Sequence, residues 1–378
     1  MQRTWAAVTA SGLVAVVAAL GACGNDQAPT SDGEKVEDGT SHESSHGDDD
    51  ECLDPAALEQ VAAGMTVEGI ASFDLALDGD SLFFSAGTRV FRVDAAGGEP
   101  ELLYESPMEF SLIRLDVYGD QLVVLDYDQV LVLPKTGGEP TTVASLSRAP
   151  AVTDADVLVD RDNLYLPVGD PSTVPEYFAV NLREKTTTQI ARAPNDKFIT
   201  LVQADEYLYV ADGTGGIYRF PKQGGDLEPV EIDWGDASPI SMGIAGVDER
   251  SAFLSVTIAA GQEDSPVPDF DRTGVYRVPL AGGTPELLIA DYISGSILFF
   301  SPGAQLLPAG DVDVLVTASS DGPVLHKVSV DGGELSRWFC LATNITRMTA
   351  DAEHVYVVIE GDESDRYSIV RAPLQQTN

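Results

Sequence analysis

A short phrase recurs along this chain and constrains its fold more than anything else in it. Val90-Phe91-Arg92-Val93 runs into Gly97-Gly98-Glu99-Pro100-Glu101-Leu102-Leu103, and Val130-Leu131-Val132-Leu133 runs into Gly137-Gly138-Glu139-Pro140. Ile217-Tyr218-Arg219-Phe220-Pro221 leads to Gly224-Gly225, Val275-Tyr276-Arg277-Val278-Pro279 to Gly282-Gly283-Thr284-Pro285, and Val328-Ser329-Val330 to Gly332-Gly333-Glu334. Each copy reads as strand, glycine turn, strand. Self-similarity at a period of about 20–50 residues marks a solenoid or a propeller, and repeats made only of strands favour the propeller.

Upstream of each phrase lies a second strand rich in Phe, Tyr and Val: Ser81-Leu82-Phe83-Phe84, Gln121-Leu122-Val123-Val124, Asn163-Leu164-Tyr165-Leu166, Tyr207-Leu208-Tyr209-Val210 and His354-Val355-Tyr356-Val357-Val358. β-Branched and aromatic residues bounded by turn residues are the expected strand signal. Seven units follow, at roughly 70–105, 110–145, 152–192, 197–232, 240–290, 295–340 and 345–374. The third has lost its glycine turn to Arg183-Glu184-Lys185, and the last offers three strands. The expected fold is therefore an all-β, seven-bladed β-propeller, with six or eight blades as alternatives. An incomplete last blade would leave an open edge. Residues 58–64 sit where an outer strand could complete it, although Asp54-Pro55-Ala56-Ala57 also reads as a helix start.

These repeats resemble those of bacterial propeller lipoproteins with low-density-lipoprotein-receptor-like or TolB-like blades. Ile217-Tyr218-Arg219 and Val275-Tyr276-Arg277-Val278-Pro279 match that pattern best. The Tyr-Trp-Thr-Asp signature of the receptor group is absent, so the resemblance implies blades and does not carry that group's ligands.

The N-terminus reads as a targeting segment. Arg3 precedes an apolar stretch from Ala6 to Leu20 that is too short to span a bilayer comfortably. It ends in Leu20-Gly21-Ala22-Cys23, which resembles the bacterial lipobox. That resemblance implies a signal peptide over 1–22, acylation (palmitate among the chains) at Cys23, and a membrane partner through the lipid. Gly24 stands where an inner-membrane retention signal would have Asp, which favours the outer membrane. Residues 23–51 then form a disordered acidic tether, because the stretch 26–51 holds ten acidic residues against Lys35 and no aromatic side chain. Residues 52–378 are the propeller. With Cys23 lipidated, Cys52 and Cys340 remain, and an even pair in an exported protein suggests a disulfide or, alternatively, two free thiols.

The formal net charge is −39, from 61 acidic and 22 basic residues, which excludes the basic footprint of a nucleic-acid partner. Catalytic motifs are weak. Gly79-Asp80-Ser81-Leu82 and Asp351-Ala352-Glu353-His354 spell the strings of a family of esterases, but both occupy the polar turn of the repeat, where Asp and Gly are needed anyway. No catalytic residue is assigned. The loops joining second to third strands share a face with the links between blades, and binding residues concentrate in such loops. The acids there are Asp126, Asp128, Asp212 and, in the longest loop, Asp264, Asp269 and Asp271. They are the candidate binding residues; the metal they would take is open, with Ca²⁺ the cation such a face suits. The expectation is a non-catalytic lipoprotein of the cell envelope whose propeller is a binding or assembly platform for a protein or glycan. A propeller lyase or hydrolase acting on an extracellular polymer is the alternative.

Overall fold

In the computed structural model every regular element among the described residues is a β-strand. The structure describes residues 58–66, 73–108, 113–146, 157–169, 174–194, 200–212, 216–248, 250–260, 267–268, 274–290, 304–309, 312–318, 324–329, 336–340, 345–351, 353–360 and 366–374. The strands pair antiparallel into seven sheets, at 73–105, 113–145, 158–192, 200–230, 239–290, 304–340 and 345–373, the last joined by Glu59–Thr66; six are four-stranded and the one at 239–290 is five-stranded. We refer to them as blades 1 to 7. Six are described down to their side chains; blade 6 is described in backbone only.

Within a blade the chain passes from the innermost strand outwards by successive hairpins. The innermost strands are Phe73–Asp78, Ile113–Tyr118, Leu158–Asp160, Thr200–Ala204, Pro239–Val247, Ala304–Ala309 and Ile345–Ala350. Each touches the next in this order, and the last touches the first, so the sheets form a closed all-β propeller. Blade 5 carries the longest second strand, Ser251–Ala260, whose end pairs with the extra short strand Val267–Pro268.

The core lies between blades rather than at the centre. Leu82 and Phe84 of blade 1 pack against Tyr356 and Val358 of blade 7, whereas Phe83, from the same strand, packs against Ile113, Leu122 and Val124 of blade 2. The same layering joins blades 2 to 3, 3 to 4 and 4 to 5. A strand covered on both faces needs no polar face, which is why the second strands read as unbroken apolar runs and not as strict alternation.

The recurring glycine pair has a specific task. Gly98 N donates to Val61 O at 3.2 Å, Gly225 N to Ile190 O at 3.0 Å and Gly283 N to Glu231 O at 2.8 Å. Each of these three glycine turns thus grips the end of the blade before it. The first glycine of the pair sits at positive φ, +101° at Gly97 and +87° at Gly282, where a side chain is strained. A Cβ there would lie 2.9 Å from Gln60 O and 2.7 Å from Glu231 O respectively. Blade 3, without the glycines, makes a shorter turn in which Lys185 takes φ +57° and its N–H reaches Asn181 O at 2.9 Å.

Beside these turns, an arginine of the third strand meets a glutamate of the outer strand nine residues later. Arg92 bonds Glu101 at 2.5 Å, Arg219 bonds Glu228 at 3.3 Å and Arg277 bonds Glu286 at 2.6 Å. The arginine of the repeat phrase is therefore a cross-strand partner, one of the opposite-charge pairs that stabilise neighbouring strands.

Candidate functional site

Two surfaces of a propeller can carry a site: the central channel and the face of long loops. Around the channel, the innermost strands of neighbouring blades share no backbone ladder among the described residues, and side chains satisfy the neighbouring backbone instead. Arg347 of blade 7 donates to Phe73 O at 3.1 Å. The Asp74 carboxylate of blade 1 accepts from Leu115 N of blade 2 at 2.9 Å, and Asp116 of blade 2 accepts from Val159 N of blade 3 at 3.2 Å. Gln203 of blade 4 donates to Val159 O at 3.3 Å. These polar groups fasten one blade to the next.

The loop face is built by the turns between second and third strands and by the links between blades. Its best-defined corner lies at the junction of blades 1 and 2. There the hairpin turn of blade 2 runs Asp126-Tyr127-Asp128-Gln129, with Asp126 paired to Gln129. Asp126 is buried, and its carboxylate accepts from Tyr104 Oη at 2.5 Å and from Ser106 Oγ at 2.9 Å. Ser106 Oγ in turn accepts from Met108 N at 3.1 Å. Burial, then the Asp126 hydrogen bond and charge, push the Tyr104 phenol well above its usual range, so it stays a donor. The Asp128 carbonyl accepts from Leu146 N at 2.7 Å, tying the turn to the end of its own outer strand.

Asp212 occupies the corresponding corner of blade 4. It is buried, and it accepts from Gly216 N through its carboxylate at 2.9 Å while its own N–H donates to Gly216 O at 3.0 Å. A Cβ on Gly216 would lie 2.6 Å from the Asp212 carboxylate and 3.0 Å from the Tyr218 ring, so a larger residue there would have to displace that carboxylate. Burial and then the Asp212 charge raise the Tyr218 phenol.

The structure thus brings Asp126 and Asp128 together in one turn and sets Asp212 two blades away. Asp264, Asp269 and Asp271 lie outside the described residues, as do Cys23 and Cys52. Cys340 ends the outer strand Ser336–Cys340 of blade 6, where its backbone pairs with Val324. Among the described residues no group of three or more His, Cys, Asp or Glu side chains is placed to hold a metal ion. The esterase-like strings are turn chemistry: Asp351 accepts from the N–H groups of Glu353 at 2.7 Å and His354 at 2.6 Å and from Tyr356 Oη at 3.0 Å. Sequence reasoning missed Tyr104, Ser106 and Met108, because they sit on the blade before the acid they hold; Ser106-Pro107 at a strand end was the available signal.

No protein-family model matches the chain, and no curated protein is similar to it. Solved structures share its fold. YCF48 bound to D1 peptide aligns with a TM-score of 0.54 at 10% identity, over 86% of this chain and 98% of that one. The extracellular domain of the one-component system protein BT4673 from B. thetaiotaomicron gives 0.54 at 12%, over 85% of this chain and 40% of that one. The N-terminal domain of Nup159 gives 0.51 at 13%, over 83% and 93%. At these identities the likeness speaks for the fold alone.

Proposed function

We propose that this chain is a non-catalytic lipoprotein of the bacterial cell envelope, held to the outer membrane through Cys23, whose seven-bladed propeller is a platform for a protein partner. The observation that carries the reading is the state of the loop-face acid Asp126. Its carboxylate is committed to Tyr104 and Ser106, so it holds the shape of the loop face. The lipobox-like Leu20-Gly21-Ala22-Cys23 and the acidic stretch after it support an anchor and a spacer. The fold itself suits the role: among the structures that share it, that of YCF48 holds a peptide. Cys52 and Cys340 bridged by a disulfide, and Ca²⁺ on the loops carrying Asp264, Asp269 and Asp271, belong to the same reading.

Two experiments test it. Cys23→Ser should move the protein from the membrane fraction to the soluble fraction; a variant that stays in the membrane pellet refutes the anchor. A photo-crosslinking residue placed in cells at Thr88, Asp128, Val174 or Asp236 on the loop face should yield a discrete protein adduct. The same residue at Glu99, Glu139 or Asp226 on the opposite face should not. No adduct from any position refutes the platform.

A further inference from the structure

The turns between second and third strands in blades 1 and 2 are the same turn. In both, the carbonyl of the second turn residue accepts the N–H that follows the outer strand: Thr88 O from Ser106 N at 2.8 Å, Asp128 O from Leu146 N at 2.7 Å. In both, the first turn residue is left-handed, with φ +60° at Gly87 and +56° at Tyr127. Blade 1 fills that position with glycine, which occupies it without strain. Blade 2 fills it with tyrosine, a bulky residue for which this conformation is a genuine outlier. Backbone strain of this kind persists only where the surroundings enforce it, and it concentrates at functional sites.

What enforces it here is the Asp126 network. The residue before Tyr127 is fixed by Tyr104 and Ser106, and the residue after it by Leu146. The strain places an aromatic ring in solvent, since Tyr127 is 46% exposed. Met108, bonded through its N–H to the same Ser106 hydroxyl, is also 46% exposed. Tyrosine and methionine are enriched at protein interfaces, and a rigidly held aromatic loses little side-chain entropy on binding. Only four large apolar side chains among the described residues are exposed, and two of them are tied to this network, Tyr127 as the chain neighbour of Asp126 and Met108 through its N–H to Ser106.

The charge around them selects the partner. Arg89, in the corresponding hairpin of blade 1, is already bonded to Glu105 at 2.8 Å, and Asp128 stands half-exposed in the turn itself. On a chain with 61 acidic and 22 basic residues, an acidic partner meets repulsion at every approach while a basic one is steered in.

We propose that Tyr127 and Met108 form the contact by which the platform holds its partner, and that the partner presents a basic segment with an apolar side chain at its centre. This rests on the platform reading and goes beyond it by naming the surface and the chemistry it recognises. The test uses the full-length protein in detergent and dye-labelled synthetic peptides, read by fluorescence anisotropy. One peptide has Lys and Arg flanking a Leu-Tyr centre; the second has the same centre with Glu flanks; the third has the same basic flanks with a Ser-Ser centre. The first should bind about tenfold more tightly than either of the others. Tyr127→Gly and Met108→Ser should each remove about tenfold of that affinity. Tyr127→Gly should at the same time leave the melting temperature unchanged or raise it, because glycine relieves the strained turn. Equal binding by wild type and both variants, or no preference for the first peptide, overturns the inference. The platform reading is judged separately: adducts from Val174 or Asp236 that are indifferent to Tyr127→Gly would keep the platform and remove this contact.

Discussion

Arg371 and Glu59, 312 residues apart in the chain, form the same cross-strand pair that blades 1, 4 and 5 form within nine residues. Arg371 Nε donates to Glu59 at 2.8 Å, and its Nη1 donates to Ala95 O at 3.1 Å on the neighbouring blade 1. The N-terminal strand Glu59–Thr66 therefore enters blade 7 as a faithful outer strand, supplying both the glutamate for Arg371 and the carbonyl for Gly98. Removing that strand should uncover the edge of Arg366–Pro373, and an uncovered edge recruits other chains. A variant lacking residues 59–66 is expected to elute from size exclusion as oligomers or aggregate, whereas Glu59→Gln should stay monodisperse and lose only about 0.2–1 kcal/mol, the worth of an exposed pair.

The glycine turns predict an order of sensitivity. Gly282→Ala combines positive φ with a Cβ 2.7 Å from Glu231 O, while Gly79→Ala at φ +56° has nothing within 4 Å. Gly79→Ala should cost about 1–2 kcal/mol through backbone conformation alone. Gly282→Ala should cost at least about 1 kcal/mol more, since backbone must move, and urea midpoints at constant slope will rank the two. Equal midpoints would mean that blade 5 does not depend on its grip on blade 4.

Asp126→Ala leaves two donors, the Tyr104 phenol and the Ser106 hydroxyl, without their acceptor. A loss of about 1–3 kcal/mol is expected, from the desolvation of groups left unsatisfied. Asp128→Ala, whose carbonyl contact survives, should lie within about 0.5 kcal/mol of wild type. Thermal unfolding of the two variants side by side tests the difference.

Alkaline pH should unfold this protein in a tyrosine-dependent way. Burial, then the Asp351 charge and hydrogen bond, push the Tyr356 phenol up to about 12, and burial also raises Tyr177, Tyr165 and Tyr209. A phenol whose folded pKa lies above its unfolded value of about 10 contributes stability that is intact below pH 10 and is lost as pH rises towards the folded value. Each such group steepens the fall by up to about 1.4 kcal/mol per pH unit. Tyr356→Phe should flatten the stability profile between about pH 10 and 12 relative to wild type; an unchanged slope would show that Tyr356 ionises as freely folded as unfolded.

Much of this fold is legible in the sequence because the repeat phrase encodes a contact made the same way in several blades. Gly97-Gly98 and Gly282-Gly283 announce a turn, and the turn's grip on the preceding blade explains why the phrase recurs. The strand at residues 59–66 was visible only as a vacancy to be filled, since Glu59 gains its meaning from Arg371, and sequence distance hides that pair. The candidate site was less legible for a related reason. Acids such as Asp126 and Asp212 can be read off a loop, but their hydrogen-bond partners decide whether they face solvent or support a turn, and Tyr104 and Ser106 come from another blade. Tyr127 carried no signal at all, because its peculiarity is a backbone angle.

The clasp at Glu59 sets synthesis against assembly. The strand Glu59–Thr66 is completed only by Arg366–Pro373, so blade 7 waits for nearly the whole propeller while blades 1 to 6 can each form from contiguous sequence. Contacts of such long sequence separation form slowly. The interval during which Glu59–Thr66 lies unclaimed is then the chain's most exposed moment, and a helper that shields a single eight-residue strand would be enough to carry it through.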